Sequence, residues 1–548
     1  MKKIFVLVIF LFNILLNSSE VFAQNDVKSV RVAISDTNFI TYMYDSIEFN
    51  NASDLEVLDT QSGQIYSGLE GDDILRFKIK NNNFELNTQN TSMVFPVSDR
   101  ITLRSKSGSL IEIKDLKRNG KQARYRGVFE LVKTRDLPKF YCINILGLES
   151  YLRAVVPNEM PVKFGLEALK AQSVAARNYT IASKYKTQDE YDVSDSVASQ
   201  VYFGAATEKE LSDKAITQTM GIIALSNEDE PILALYSSTA GGHSESYENA
   251  FSDNLTKVFP SEPKDYLKGK PDREDIKLTT EEEIKEFYSS YPETFDNDSP
   301  YFRWKREWTS DELEEVLKKT VKDLSQTGFV TPKLYDSEDF GTLKDIEVVE
   351  RGVSGKVMFI KIMTDKNVYM VSKELIIRRC FKNKGKALPS ANFYIEKEDD
   401  GHNIVYKFIG GGFGHGVGMS QWGAGNMASR GYRYDQILNH YYSNIRLTTY
   451  PEMMRANGEV KTQVFYSELD KAWVYIEHND LVETFFVSVN GETLEIDINK
   501  NMPKKVKVDI SKYLKKGINE IKYFAKEDNT KLNDYIKIFT EIKGSEDV

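Results

Sequence analysis

Glu149-Ser-Tyr151-Leu152-Arg-Ala-Val155-Val156-Pro157-Asn-Glu159-Met160-Pro161 decides how this chain is read, together with the alanine-rich run behind it that holds Ala171, Gln172, Ala175, Ala176, Arg177 and Tyr179. The spacing predicts a short helix over 147–156, ended by Pro157, and a long helix from Gly165 to about Lys184. Between them Met160 precedes a proline, which disfavours the α region at that residue, so 158–161 reads as a forced connector. Helix packing does not explain a carboxylate there. Glu159 lies among Val156, Met160 and Phe164, and apolar surroundings would raise its pKa by desolvation, as a general acid requires. Glu149 reads instead as an ordinary acid near a helix N-terminus, favoured by the dipole.

Outward from this stretch the pattern changes on both sides. From Val27 to about Lys139 short alternating segments (Val30, Val32, Ile34; Ile74, Phe77, Ile79; Ile101, Leu103) predict strands and turns. Residues 205–300 predict one helix, a strand-like stretch over 231–238 and an acidic segment. Thr309 followed by Glu312 is a capping box that starts a helix, and strand-like segments resume at 346–349 and 357–362. Alternation returns over 459–542 (Val464, Tyr466; Trp473, Tyr475; Phe485, Val487, Val489), with Asn490-Gly491 as a hairpin signal. The expected fold is therefore α+β: a leader at 1–23, a β-rich part at 24–140, a mixed core at 141–450 and a separate β-sandwich module at 459–542. In the module, Trp473, Tyr475 and Phe486 offer surface on which a sugar could stack.

Length and composition bound the function. A chain of 548 residues with 41% hydrophobic and 28% charged residues is long enough for several globular cores. A formal charge of −10 without a dense basic run excludes the electrostatic footprint of a nucleic-acid binder. Lys2 and Lys3, the apolar run from Ile4 to Leu16 and the small-residue end at Ala23 have the order of a secretory signal peptide. The apolar run is too short for the roughly 20 residues that span a bilayer, so no membrane span is expected after cleavage. The two cysteines, Cys142 and Cys380, do not make a disulfide scaffold. An exported protein has no supply of ATP or NAD, and no cofactor is expected.

Two further constellations stand out. In Gly410-Gly-Gly-Phe413-Gly414-His415-Gly416-Val-Gly418-Met419-Ser420-Gln421-Trp422-Gly423 the glycines permit close approach of main chain to a ligand. The run matches neither GxGxxG nor the GxSxG elbow. His415 inside it is a candidate site residue. In Tyr236-Ser-Ser238-Thr239-Ala240-Gly241-Gly242-His243-Ser244-Glu245 a strand ends in hydroxyls, glycines and a histidine, which builds a polar rim. No HExxH and no pair of histidines four apart supports a catalytic zinc site.

These blocks, with Gln200-Val-Tyr202-Phe-Gly204, resemble the SpoIID/LytB family, which comprises lytic transglycosylases acting on peptidoglycan and so-called amidase enhancers. The dense matches cover 141–204 and 410–445, with weaker ones at 231–249 and 301–317. The resemblance puts the family's catalytic acid/base on Glu159. It also marks two departures. Where sporulation members have zinc-ligating cysteine and histidine, this chain has Asp192-Val-Ser194-Asp195-Ser-Val-Ala198-Ser199-Gln200, so no metal is expected. An acidic insertion near 274–297 lengthens a region that is short in the family and could narrow access to a cleft.

The expected function is an exported lytic transglycosylase that cuts peptidoglycan glycan strands. A hydrolysing glycosidase needs two carboxylates flanking the bond. A transglycosylase needs one, because the sugar's own 6-hydroxyl attacks with the proximity advantage built in. Glu159 is the expected acid, and Gln172, Gln200, Tyr202, His243, His415 and Gln421 are expected to orient the sugar. The rival expectation is a non-enzymatic protein that binds peptidoglycan and stimulates a cell-wall amidase as its partner. Export itself is checked by intact-mass analysis of the secreted protein, which should begin at Gln24; a mass that retains 1–23 overturns the leader.

Overall fold

The computed structural model describes residues 29–67, 73–96, 98–184, 190–253, 255–399, 404–455, 459–468, 471–478, 483–498, 502–525 and 535–544, so the expected leader lies outside the described residues. Two compact units divide the chain: residues up to Val155 with Ser183–Thr207, and Val156–Ala182 with Glu208 onward. Among the described residues no helix is long and apolar enough to cross a membrane.

The first unit is the strand-rich part expected from the alternating pattern. One sheet runs in the order Val193–Ser194, Ser29–Ala33, Phe140–Gly147, Val128–Lys133, Arg100–Ser105, Leu55–Asp59, Ile65–Tyr66. A second runs Lys121–Tyr125, Ile111–Arg118, Ser46–Asn50, Ile74–Lys80, Asn83–Asn87, Ser92–Phe95. Their apolar faces meet through rings: Phe49 packs on Phe129 and Phe84 on Phe140, each pair with centroids 5.5 Å apart. Asp195 and Arg118 close one end. Arg118 Nη2 donates to Asp195 Oδ2 at 2.6 Å and to the Ser35 carbonyl at 2.7 Å, while Asp195 Oδ1 accepts from Ser35 Oγ at 2.7 Å. Both charged side chains are essentially out of contact with water.

Helix α1 (Leu148–Glu159) continues through Pro157, which the sequence reading took as its end. Proline removes one i→i−4 bond, but α1 still closes its last turn with Met160 N to the Val156 carbonyl at 3.0 Å, and stops only before Pro161. A 3₁₀ turn (Val162–Phe164) and Gly165, at φ +89°, lead into helix α2 (Leu166–Lys184), as the spacing predicts. Helix α3 (Glu210–Thr217) is the single helix expected after 205. The acidic segment holds another, α4 (Glu281–Ser289), with a complete capping box between Thr280 and Glu283. Over 231–238 only Tyr236–Ser237 is strand, and it pairs in parallel with Met419–Ser420.

The acidic insertion near 274–297 belongs to a larger body. The strands Val330–Thr331, Val368–Ser372, Val357–Thr364 and Leu343–Arg351 form one sheet, and Trp304–Thr309, Ile404–Gly410 and Phe393–Asp399 another. Helices α5 (Ser310–Ser325) and α6 (Glu374–Cys380) complete a core around Leu317, Ile360, Ile377, Cys380 and Phe408. The capping box at Thr309 and Glu312 is present as predicted. Helices α7 (Gln421–Ser429) and α8 (Tyr434–Tyr441) follow the glycine-rich run.

The C-terminal strands form two sheets whose buried residues face each other, with Val474, Ile476 and Ile538 on one and Phe465, Phe485, Val487 and Ile521 on the other. Asn490 and Gly491, at φ +52° and +97°, make the two-residue turn between Glu483–Val489 and Glu492–Ile498. One of its sheets also reaches beyond the module. Tyr535–Lys543 pairs with Arg446–Thr448, which pairs with Ile223–Leu225, so one sheet runs on into the core. Strand alternation carries no signal for that shared edge, because an interior and an edge strand alternate alike.

Cys142 and Cys380 are buried and free. They report on the two units separately. Replacing Asp195 with alanine strands a buried guanidinium, a change that costs about 3–5 kcal/mol. Pulse labelling with a thiol reagent should therefore reach Cys142 on the order of 10²-fold faster in this variant, with Cys380 labelling unchanged. Equal rates at Cys142 would show that the pair is not holding the unit closed.

Candidate functional site

Glu159 is the last residue of α1 and is half-buried. Its backbone carbonyl accepts from Gln421 Nε2 at 2.9 Å, and the same nitrogen lies 3.2 Å from Gln172 Oε1. Three of the residues picked from sequence are thus brought together from α1, α2 and α7. Gln172 and Gln421 are buried, so their amides set the end of α1 rather than project from it. The surface beside Glu159 is aromatic: Phe164 meets Trp422 edge to face at 5.0 Å, and Lys163 Nζ sits 5.3 Å from the Trp422 ring. A Cβ on Gly425 would come within 2.7 Å of Phe164, so only glycine lets α7 lie against the 3₁₀ turn.

The parallel pair Tyr236–Ser237 with Met419–Ser420 carries the other two blocks to the same place. Ser420 caps α7 by accepting from Gly423 N at 3.3 Å, and Trp422 N donates to the Ser238 carbonyl at 3.1 Å. Gly418, at φ +72°, places its Cα so close to the Leu235 carbonyl that any side chain would meet it at 2.1 Å. Behind the pair lies Asp296, a residue for which the sequence held no signal beyond its place in an acidic stretch. Its Oδ2 accepts from Ala240 N at 2.7 Å, Gly241 N at 2.9 Å and Ser420 Oγ at 3.0 Å. Among the described residues its Oδ1 has no partner. Burial and then the charge of Asp272 push its pKa up to about 6.

The two histidines are neutral for the same physical reason and serve different places. His243 is buried, with Nδ1 2.7 Å from the Ser244 carbonyl, so Nδ1 carries the proton; desolvation lowers its pKa. His415 is half-buried against Phe251, with ring centroids 5.3 Å apart. Its Nδ1 accepts from Val417 N at 3.0 Å, so Nε2 carries the proton, and burial pulls its pKa down to about 4. Glu245, the residue two beyond His243, is wholly buried. It accepts from Ser246 N, Asn249 Nδ2, Val353 N, Ser354 N and Ser354 Oγ, which binds this loop to the Leu343–Arg351 hairpin.

Gln200 and Tyr202 belong to the first unit. Tyr151 Oη donates to Gln200 Oε1 at 3.1 Å, Tyr202 Oη donates to Asn144 Oδ1 at 2.7 Å, and the Tyr151 and Tyr202 rings stack at 5.1 Å. Both side chains are buried. The Ser194 and Ser199 hydroxyls lie 3.2 Å apart and Ser194 N donates to Ser199 Oγ at 3.1 Å. Of the residues picked from sequence, Glu159 and His415 reach the surface; Gln172, Gln200, Tyr202, His243 and Gln421 make their hydrogen bonds inside the protein.

The raised pKa of Asp296 has a pH signature. A carboxyl whose folded pKa lies above its unfolded value of 3.8 adds stability that is fully present below that value and lost as pH rises through about 6. Asp296→Asn removes the titration. The melting temperature of wild type relative to this variant should therefore rise as pH falls from 7 to 4; a difference that stays flat over that window contradicts the assignment.

Comparison with known proteins matches the block around Glu159 to a family model. Residues 138–225, which hold α1, α2 and α3, match the model of the stage II sporulation protein family (SpoIID). Residues 252–418 match a domain of unknown function (DUF8618). The chain is 27% identical over 447 residues to the amidase enhancer of Bacillus subtilis, which covers 79% of this chain and 58% of that relative's length. It is 29% identical over 327 residues to an uncharacterized protein of Brachyspira hyodysenteriae, covering 59% of this chain and 72% of the relative. Stage II sporulation protein D of Bacillus subtilis is 27% identical over 320 residues, covering 55% and 75%. The stretch of this chain that holds Glu159 is thus similar to the stage II sporulation protein family.

Proposed function

We propose that this chain is an exported lytic transglycosylase acting on peptidoglycan glycan strands, with Glu159 as its acid and base. Relatives named amidase enhancer and stage II sporulation protein D support a cell-wall role. The observation that carries the finer reading is the setting of Glu159. It is a half-exposed carboxylate at a helix end, held by its backbone through Gln421, beside the Phe164 and Trp422 rings. Aromatic rings next to a carboxylate suit a pyranose, whose C–H faces stack on them. Asp296, linked to Glu159 through Ser420 and Gln421, is buried beneath the loops with its Oδ2 taken up by three donors, so it does not serve as a second carboxylate.

In this mechanism Glu159 protonates the glycosidic oxygen as the C1–O bond of N-acetylmuramic acid breaks. The 6-hydroxyl oxygen of the same sugar then bonds to C1, and its proton passes to Glu159. The product is a 1,6-anhydro end, the carboxyl is protonated again, and no water is consumed. Intramolecular attack supplies the proximity that a second carboxylate would otherwise provide.

A second reading follows from the amidase enhancer match, which covers more of this chain than the sporulation match does. In it the same surface binds glycan without cleaving it and presents the chain to an amidase. One substitution separates the two. Glu159→Gln keeps shape and hydrogen bonding but removes the transferable proton, and general acid/base catalysis then falls by on the order of 10²- to 10⁴-fold. Release of anhydro-ended muropeptides from purified sacculi should drop by that factor with the melting curve unchanged. Equal release by both proteins removes Glu159 as the acid. No release by either, with both stimulating an added amidase, establishes the enhancer reading.

A further inference from the structure

We infer that Asp296, from the 252–418 region, is a positioning residue for the Glu159 site and clamps the two loops on which α7 is seated. The inference rests on the reading of Glu159 given above and deepens it, by giving the inserted region a part in the site.

The path from Asp296 to Glu159 is short and made of buried groups. Asp296 Oδ2 accepts from Ser420 Oγ at 3.0 Å, and Ser420 is the N-cap of α7. The next residue, Gln421, is the first of that helix and donates to the Glu159 carbonyl at 2.9 Å. The same carboxylate oxygen accepts from Ala240 N and Gly241 N, which fixes the loop that follows the strand Tyr236–Ser237. One oxygen thus sets the separation of the Ser238–His243 loop from the start of α7. Both ends of the parallel strand pair are then defined.

The turn that carries Asp296 is itself built into this place rather than laid over it. Ser299 N donates to the Asp296 carbonyl at 3.1 Å, and Ser299 Oγ is 2.6 Å from Thr239 Oγ1. Thr239 exchanges backbone hydrogen bonds with Phe413, and Gly412 N donates to the Tyr301 carbonyl at 2.8 Å. Arg303 Nη1 donates to the Gly241 carbonyl at 3.0 Å. The segment 296–303 therefore touches both family loops through several independent bonds. A lid that opened and closed over a cleft would have to break all of them, so the insertion acts as a fixed clamp.

The charge on Asp296 matters because hydrogen bonds to an ionised acceptor are roughly twice as strong as neutral ones. The groups that face it are Asp272, whose negative charge opposes ionisation, Arg303, which favours it, and the buried hydroxyl of Tyr441. His440 Nε2 lies 3.3 Å from Asp272 Oδ1 and so bears on the same cluster. When the carboxylate takes up a proton, the three donors keep an acceptor but lose its charge. The three hydrogen bonds then weaken while the side chain stays buried, even though unfolding, which would hydrate the charge, becomes less favourable.

Asp296→Asn imposes that neutral state at every pH and keeps the volume of the side chain. At pH 7, amide hydrogen exchange in peptides over 236–242 and 419–424 should be about tenfold faster than in wild type, with peptides from α5 unchanged. Ser420→Ala, which breaks the path at its second member, should raise exchange over 419–424 in the same way. Release of anhydro-muropeptides by Asp296→Asn should fall about tenfold in kcat with KM unchanged. The wild-type to variant activity ratio should shrink toward one as pH falls below about 5, where wild type is also neutral at this position. Unchanged exchange at 419–424, or an activity ratio constant from pH 5 to 8, overturns the inference, since a merely space-filling Asp296 would give both. If wild type itself releases no anhydro product, the reading of Glu159 falls, and exchange alone decides the clamp.

Discussion

One carboxylate oxygen, Asp296 Oδ2, with three donors from two distant stretches of chain, is the constraint on which the arrangement around Glu159 depends. Burying a charge is costly unless it is hydrogen-bonded, so the carboxylate is tolerated only where Ala240 N, Gly241 N and Ser420 Oγ converge on it. That requirement works in both directions. The donors converge only if Tyr236–Ser237 and Met419–Ser420 lie in parallel register, and the parallel pair is only two residues long. So short a pairing would not hold by its backbone bonds alone. The carboxylate, the Ser420 cap and the Trp422 N bond to Ser238 supply what the ladder lacks.

The same device recurs at Glu245, where five donors surround another buried carboxylate and join the loop after His243 to the Leu343–Arg351 hairpin. Lys356, also fully buried, donates to Asn392 close by, and burial lowers its pKa. The region matched by the domain of unknown function is thus joined to the loop after His243 through the buried carboxylate of Glu245. Such contacts are specific in geometry because a misplaced partner leaves an uncompensated charge. Glu159 is tied to α7 through its backbone carbonyl, and its side chain is half-buried.

Much of the local structure was legible in the residues themselves. The capping box at Thr309 and Glu312, the Asn490-Gly491 turn and the alanine-rich α2 depend on interactions within a few residues, so their signals are local and survive in the fold. Pro157 was misleading because a missing hydrogen bond near the C-terminal end of a helix can be tolerated when the last turn still closes. Helix α4 was passed over because a run of acids reads as a solvated segment, although Thr280 and Glu283 carry the same capping signature as Thr309 and Glu312. Gln172 and Gln421, expected to orient a sugar, meet each other at the Glu159 carbonyl. Exposure was not legible: glutamine and histidine take a buried structural role or a surface role with equal ease, and Gln172, Gln200, Tyr202, His243 and Gln421 are buried.

The sequence by itself determined the kinds of element and the break before Pro161, because each is written in spacing and in residue type, whereas the structure carried the helix past Pro157 to Glu159. Tertiary structure alone decided that Tyr535–Lys543 extends a sheet of the core, and that an aspartate from a long insertion sits beneath loops 56 residues before it and 124 after it. Those outcomes depend on which donors lie around a buried charge and which strand edge lies beside which. Such contacts join residues far apart in the chain, and no local pattern carries them.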